Sequence, residues 1–274
     1  MDMAIRLIVS DIDATLLPNG GSISPRTRAA VRSCAQQGVT FAVATGRWYV
    51  TARRVVEALG QEDGYMIVAN GGAILRLDGT PVKLWGMPRT DAETVYRLCR
   101  GYDLDLLAYT PRTVYCVNMK RPESGRERSR TTGAYRFLFG DVEGLERDGL
   151  SAPNKMAVDC EDARTLARLR AALEEAGLCV SSSHATNLEI MSKGMGKGAA
   201  TTWLAGHLGV GREETLALGD NTNDLDMLSA AHWSVAMGDA APELKAAARL
   251  IAPRDVEDGA AQIIERALRG ELGR

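Results

Sequence analysis

Two carboxylates follow the first apolar run of the chain. Leu7-Ile8-Val9-Ser10 has the length and composition of a buried strand, and Asp11 and Asp13 come directly after it. If the backbone stays extended there, its period of two places both carboxylates on the same side of the chain. Two like charges so close repel each other, so the pair favours a cation, a shared proton or a phosphate-bound metal. A strand that runs into an aspartate-rich turn explains this motif alone equally well.

Three further motifs with polar or charged residues follow in order along the chain: Thr45-Gly46-Arg47, Lys197 within a glycine-rich segment, and Gly219-Asp220-Asn221-Thr222-Asn223-Asp224. Taken singly, Lys197 fits a solvated lysine at a helix start, and the acidic motif fits a capped helix start with Asx turns. The segment around Lys197 is not a P-loop, because Gly198 stands where that motif has Ser or Thr. Together with the first two carboxylates, however, the acidic motif favours a metal site.

The four motifs together resemble those of the haloacid dehalogenase superfamily. Asp11-x-Asp13-x-Thr15 is the first of them, and the spacing is similar to that of the Cof-type sugar-phosphate phosphatases, which have a large cap between the second and third motifs. The resemblance runs from end to end and is weak through the middle of the chain. One position departs from the family pattern, since Ala14 stands where the family usually has Gly. If that position needs a positive φ, Ala costs roughly 1 kcal/mol there.

The resemblance implies Mg²⁺-dependent hydrolysis of a small phosphomonoester, with a sugar phosphate or another phosphorylated metabolite as substrate. Asp11 is then the nucleophile that accepts the phosphoryl group. Asp13 is placed to protonate the leaving oxygen and afterwards to activate water. Mg²⁺ suits this chemistry because it binds oxygen ligands, several waters and a phosphate oxygen. Its expected ligands are Asp11, the backbone carbonyl of Asp13, and Asp220.

The resemblance implies that the remaining motif residues bind the phosphate or support the metal site. The hydroxyl of Thr45 and the amides around Gly46, at a helix N-terminus, form an anion site. Lys197 supplies a positive charge for the phosphate and for the nucleophile. Asn223 and Asp224 are expected in supporting or water-mediated positions.

The elements that must position these residues have an α/β pattern. Strand, helix, strand, helix and strand alternate over residues 7–69, and the first helix starts at Ser24-Pro25, an N-cap followed by proline. Apolar strands in this alternation are typical of a parallel sheet covered on both faces. Ligands of such sheets bind outside the carboxyl ends of the strands, where Asp11, Thr45 and Asn70 fall. The sequence therefore predicts a doubly wound parallel-sheet core.

The pattern changes in the middle of the chain. Residues 83–189 mix helices and strands without the parallel alternation, and about a hundred residues suffice for a separate domain. Within them, residues 120–136 are polar and basic without clear periodicity, which favours a solvated loop. The core pattern then resumes with a buried strand over residues 215–218. We therefore predict a catalytic core formed by residues 1–82 and 190–274, and an inserted α+β cap that sets substrate specificity.

Bulk properties exclude several classes of protein. The 274 residues are 45% hydrophobic and 25% charged, as in a globular protein with a core, and the net charge of -2 gives no reason to expect nucleic acid or an anionic membrane. The five cysteines contain no CxxC pair, which indicates reduced, mostly buried thiols. We expect no signal peptide, because Asp11 and Asp13 interrupt the apolar N-terminal run, and no apolar run reaches the roughly 20 residues of a membrane span. We expect a soluble, cytoplasmic protein with no obligate protein partner.

Two other functions stay open. A phosphomutase uses the same nucleophile but returns the phosphoryl group to a sugar, and related phosphomannomutases share this class of cap. A sugar-phosphate-binding protein with vestigial chemistry is suggested only by Ala14, whereas the presence of Asp11, Asp13, Lys197 and Asp220 argues against it. No motif in the predicted cap names a substrate.

Overall fold

A computed structural model describes residues 4–110, 113–117, 136–140, 152–182 and 184–273. The basic segment predicted as a loop is residues 120–136, and all of it except Arg136 lies outside these ranges. The α-helices of the described chain are α1 Pro25–Gln36, α2 Tyr49–Leu59, α3 Arg89–Cys99, α4 Ala163–Glu175, α5 Lys197–His207, α6 Leu225–Ala230, α7 Pro242–Ala247 and α8 Gly259–Leu268. Its strands are β1 Leu7–Ser10, β2 Thr40–Ala44, β3 Tyr65–Val68, β4 Ala73–Arg76, β5 Pro81–Leu84, β6 Asp105–Tyr109, β7 Thr113–Val117, β8 Arg136–Gly140, β9 Lys155–Asp159, β10 Cys179–Ser181, β11 Asn187–Met191, β12 Thr215–Gly219, β13 Trp233–Ala236 and β14 Leu250–Ile251.

The chain forms two compact units. The first comprises Met1–Lys83 and Gly196–Arg274, and the second comprises Leu84–Met195. The division predicted at residue 190 falls inside β11, whose residues pair with β9 of the second unit.

The first unit is built on an eight-stranded sheet in the order β14-β13-β12-β1-β2-β3-β4-β5. The pairings from β14 to β3 are all parallel, and β1 lies between β12 and β2 with every residue buried. The predicted α/β fold with a large parallel sheet is confirmed. The carboxyl ends of β1, β2 and β12 therefore meet at one edge of the sheet, although the motifs that follow them are far apart in sequence.

Local signals and long-range pairing contribute differently to these elements. The hydroxyl of Ser24 accepts a hydrogen bond from the N–H of Thr27 at 3.0 Å, so α1 begins with the predicted cap. Strand β4 was not predicted. It pairs antiparallel with β3 after a single 3₁₀ turn, Ala69–Gly71. A strand of four residues that follows Asn-Gly-Gly is too short to show a periodicity of its own. It forms because the edge of β3 offers unpaired backbone N–H and C=O groups.

The second unit contains a six-stranded sheet in the order β10-β11-β9-β6-β7-β8. Strands β6 and β7 form an antiparallel hairpin, and β8 lies parallel to β7. Side chains of α3 and α4 form one hydrophobic core with those of the sheet, including Val95, Leu169 and Val158. Helix α4 begins at Asp162, whose carboxylate accepts the N–H groups of residues 164 and 165, both at 3.2 Å.

Two expectations about the whole chain can be compared with the structure. All five cysteines are free thiols and four of them are buried, as predicted; only Cys179 is exposed. Within the described residues, no helix combines the length and the apolar character needed to cross a bilayer.

Candidate active site

The first motif begins where β1 ends. The strand ends at Ser10 and the chain bends at Ile12, so the extended backbone considered for residues 11–13 does not form. Instead the chain turns: the N–H of Leu17 bonds the carbonyl of Ile12, and the N–H of Ala14 bonds the carbonyl of Leu17, both at 2.9 Å. Ala14 takes a φ of 53°, so the position at which the resemblance expects glycine does need the left-handed region. The turn leaves Asp11 buried at the sheet edge.

Lys197 binds the carboxylate of Asp11. Its ammonium donates to Oδ1 of Asp11 and to Oδ1 of Asp224, each at 2.6 Å. The lysine side chain is only 1% exposed, and the carboxylates are 8% and 0% exposed. Lys197 is therefore a structural and electrostatic centre of the site, and the alternative of a solvated lysine at a helix start is wrong.

Asp224 organises the acidic loop. Its second oxygen accepts the backbone N–H of Asp220 at 3.1 Å and that of Asn221 at 3.2 Å. Both oxygens of Asp224 are thus engaged. The 3₁₀ turn Thr222–Asp224 is capped by Asn221, whose side chain accepts the N–H of residue 222 at 2.7 Å. Asn223 is half-buried and joins none of these hydrogen bonds in the described chain, so its supporting or water-mediated position stays a prediction.

Asp220 completes a cluster of carboxylates that could hold a metal ion. Carboxylate oxygens of Asp11, Asp220 and Asp224 lie within 4.8 Å of one another. The hydroxyl of Thr15 donates to Asp220 at 3.4 Å. Three carboxylates face the single ammonium of Lys197, so the cluster has an excess of negative charge and hard oxygen donors. That donor set fits a divalent cation such as Mg²⁺.

Burial and mutual repulsion shift the ionisation of this cluster. Burial raises the pKa of Asp11 well above its ordinary value; Lys197 opposes this, and the charges of Asp224 and Asp220 add to it. Burial and the charge of Asp224 raise the pKa of Asp220 to about 7. Burial would lower the pKa of Lys197, but the charges of Asp11 and Asp224 outweigh it and raise that pKa above its usual value. A cation bound by these carboxylates would favour their ionised forms.

The second motif follows β2. Thr45 is buried, and its backbone carbonyl accepts the N–H of Asn70 at 3.0 Å. Its hydroxyl accepts the N–H of Arg47 at 3.1 Å, which turns the loop at Gly46. The guanidinium of Arg47 reaches Asp13, with Nε at 2.8 Å from Oδ2 and a second, shorter bond to Oδ1.

Asp11 and Asp13 therefore have different environments although only Ile12 separates them. Asp11 is buried against Lys197, whereas the side chain of Asp13 is 52% exposed and paired with Arg47. Sequence reasoning did not identify this partner of Asp13. The only signal was the position of Arg47 inside the second motif.

Comparison with known proteins adds to this geometry. The family model of the haloacid dehalogenase-like hydrolases matches residues 8–264. The chain belongs to this family. The resemblance inferred from the motifs is confirmed, and the protein is a hydrolase of the haloacid dehalogenase type.

Relatives of this hydrolase cover nearly its full length. The 5-amino-6-(5-phospho-D-ribitylamino)uracil phosphatase YcsE of Bacillus subtilis is 29% identical over 267 residues, which are 96% of each chain. An HMP-PP phosphatase of Escherichia coli O6:H1 is 30% identical over 251 residues, or 88% of this chain and 87% of the relative. A haloacid dehalogenase-like hydrolase structure from B. subtilis superposes with a TM-score of 0.84 at 24% identity, covering 95% of this chain and 99% of the other, which supports the fold.

Proposed function

We propose that this hydrolase is a phosphatase that cleaves a small phosphomonoester through a phosphorylated Asp11. One observation carries the proposal: a buried carboxylate at a strand end is held 2.6 Å from a buried ammonium, with two further carboxylates close by. Both curated relatives described above are named phosphatases, which supports the same reaction class. Their names specify two different phosphate compounds, so they support a phosphorylated metabolite as the substrate class and no single compound.

Asp11 forms the covalent intermediate. Lys197 holds its Oδ1 and so orients the other oxygen for attack on phosphorus. As the new P–O bond forms, the bond to the leaving alcohol breaks and its electron pair goes to the leaving oxygen. The ammonium reduces the repulsion between two anions, and the hydroxyl of Thr45 with the amides around Gly46 would bind the other phosphate oxygens.

Asp13 supplies and removes the proton. It would protonate the leaving oxygen, then accept a proton from the water that hydrolyses the phosphoaspartate. In the structure Arg47 occupies both oxygens of Asp13. Asp13 therefore has to leave this ion pair before it can protonate a leaving group, and we propose that a bound substrate takes over Arg47.

Mg²⁺ is the cofactor that this site fits. Asp11, Asp220 and the backbone carbonyl of Asp13 would hold it, and Asp224 would support the site by fixing both Lys197 and the loop of Asp220. When bound, the ion would neutralise charge on the phosphate during transfer.

Substrate preference is proposed to lie in the second unit, Leu84–Met195. The motif residues address only phosphate and metal, so recognition of the leaving group needs other side chains. A protein that lacks this unit should lose selectivity among phosphate esters more than it loses Mg²⁺ affinity. Unchanged relative rates over a substrate panel would contradict this division.

The experiment that tests the function is a screen of phosphorylated metabolites with Mg²⁺, scored by release of inorganic phosphate. Asp11→Asn should reduce the rate on any substrate found to background, with thermal unfolding confirming that the protein is folded. Asp78→Asn is the matched control, because Asp78 caps an exposed turn, where it accepts the N–H of Thr80 at 2.8 Å.

A folded Asp11→Asn protein with a near wild-type rate would end the proposal. Conversion of one hexose phosphate into another without phosphate release would show a phosphomutase instead.

A further inference from the structure

Helix α5 has an N-terminus in which Lys197 stands between two glycines. Gly196, the N-cap residue, offers no side-chain hydrogen bond to the helix. The N–H of Gly198 instead donates a hydrogen bond to Oδ2 of Asp226, a residue distant in sequence, at 2.8 Å. A Cβ on Gly196 would lie 2.0 Å from that same oxygen, and one on Gly198 would lie 2.2 Å from the backbone carbonyl oxygen of Asp226. Asp226 therefore packs directly against one side of this segment.

The 3₁₀ turn Ala69–Gly71 packs against the other side. A Cβ on Gly71 would lie 2.1 Å from the carbonyl oxygen of Gly196 and 3.2 Å from the backbone nitrogen of Lys197. The backbone of the turn thus contacts the backbone at Gly196 directly, and neither segment has room to move towards the other.

The turn itself is strained and is held in place by the second motif. Ala69, Asn70 and Gly71 have φ values of 53°, 51° and 93°. The N–H of Ala69 bonds the carbonyl of Arg47 at 2.9 Å, and the N–H of Asn70 bonds that of Thr45 at 3.0 Å. Non-glycine residues keep such a conformation only where the surroundings impose it, and such sites concentrate near functional centres. The turn therefore connects the loop at Thr45 with the backbone of Lys197.

We propose that Ala69–Gly71 and Asp226 form a two-sided clamp that positions Lys197 for the reaction, an inference that rests on the proposed function. The Lys197 side chain is 1% exposed, so its packed stem has little freedom to compensate for a backbone shift, and its two carboxylate contacts at 2.6 Å depend on a fixed backbone. A displacement of about 1 Å at a reacting group can cost about 10²-fold in rate. Asp226 and Gly71 are positioning residues in this assignment, and neither touches substrate.

Asp226→Ala tests one side of the clamp, and Asp162→Ala is its matched control. Both substitutions remove a carboxylate that caps a helix start, and Asp162 does so in α4, which carries none of the motif residues. Both should lower the thermal unfolding midpoint by a similar amount. Only Asp226→Ala should lower kcat, by about 10-fold or more with KM changed less than about 2-fold. Asp226→Asn keeps an acceptor oxygen and should restore most of kcat.

Gly71→Ala tests the other side, with Gly38→Ala as control. Gly38 also has a positive φ, of 71°, but a Cβ there meets nothing within 4 Å. Both variants place an alanine at a positive φ and so carry the same kind of backbone strain. Only Gly71→Ala also displaces Gly196. Its kcat should fall about 100-fold, while Gly38→Ala should match the wild type. If Gly71→Ala does not fold, the Asp226 variants decide the question.

Two outcomes overturn the clamp. One is an Asp226→Ala enzyme that loses stability as Asp162→Ala does and keeps the wild-type kcat. The other is a crystal structure of Asp226→Ala in which Lys197 keeps both carboxylate contacts at their present length. The crystallographic outcome needs no turnover, so it tests the clamp even if the wild-type protein releases no phosphate and the proposed function fails.

Discussion

Replacing Lys197 by methionine should remove both stability and activity. The ammonium is buried and is bonded to Asp11 and Asp224, each at 2.6 Å. Methionine fills similar space but leaves both carboxylates buried with no counter-charge. Breaking a buried ion pair in this way costs about 3–5 kcal/mol. For a protein of this size we expect a fall in the unfolding midpoint of roughly 6–20 °C at pH 8.

The loss of stability should be smaller at low pH. Without Lys197, the pKa of Asp11 would lie still further above its ordinary value, because the charge and the hydrogen bond of Lys197 both lower it and both are gone. Asp11 of the variant then takes up a proton more readily as the pH falls, which removes part of the uncompensated charge. The measurement is thermal unfolding of wild type and variant at pH 5 and pH 8 in EDTA, together with phosphate release at pH 8 in Mg²⁺.

Lys155→Met is the matched control. Lys155 forms the other buried lysine–carboxylate pair of the described chain, 2.5 Å from Glu189 with side chains 5% and 7% exposed. Its loss should destabilise the protein to a comparable extent, whereas turnover per folded molecule with an aryl phosphate should persist. Activity lost equally in both variants would mean that stability alone explains the effect.

A double variant separates charge from chemistry. Adding Asp224→Asn to Lys197→Met removes one of the stranded charges, and the amide oxygen can still accept the N–H groups of Asp220 and Asn221. It should recover about 1–3 kcal/mol of stability and no activity. The reasoning is refuted if Lys197→Met alone unfolds within 2 °C of the wild type at pH 8, or turns over within about tenfold of it.

Three further predictions concern the same sheet edge. Asp13→Asn should slow hydrolysis of a sugar phosphate far more than that of an aryl phosphate, whose leaving oxygen needs little protonation; equal losses on the two substrates would exclude Asp13 as the acid. The pKa of Asp220 is raised to about 7, so the native protein holds a proton that the unfolded chain releases, and stability in EDTA should fall as the pH rises from about 4 to 7. Mg²⁺ at pH 8 should reverse that fall, and an unfolding midpoint in EDTA that is level across this range would contradict the assignment. Ala14→Gly should raise the unfolding midpoint by a few degrees, because Ala14 has a φ of 53°, and an unchanged or lower midpoint would show that the turn stores no strain.

Local patterns in the sequence were sufficient for much of this protein. The Ser24-Pro25 cap starts α1 because it satisfies orphan backbone donors within one turn. The apolar run at Leu7–Ser10 becomes a central strand because only burial on both faces accommodates it. The order and spacing of four motifs led to the correct family. Each of these features depends on residues close together in the chain or on a pattern that the whole family shares.

The partners of the charged residues depend on the tertiary structure. Lys197 and Asp11 are 186 positions apart, and they meet because β1 lies beside β12 in the sheet and α5 packs at the same edge. Asp13, two positions after Asp11, pairs with Arg47 instead, since the strand ends at Ser10 and the chain then turns back over residues 12–17. No local spacing encodes such pairings.

The same reason explains the elements and residues that were missed. Strand β4 forms on an edge that β3 provides, and Asp226 caps a helix that begins 29 positions earlier at Lys197. The family pattern showed that Ala14 would be costly if its φ were positive, but only the folded turn decided that it is. The sequence determined which groups are available for chemistry, and long-range packing decided which of them are buried together, because burial and charge pairing depend on neighbours that only the fold supplies.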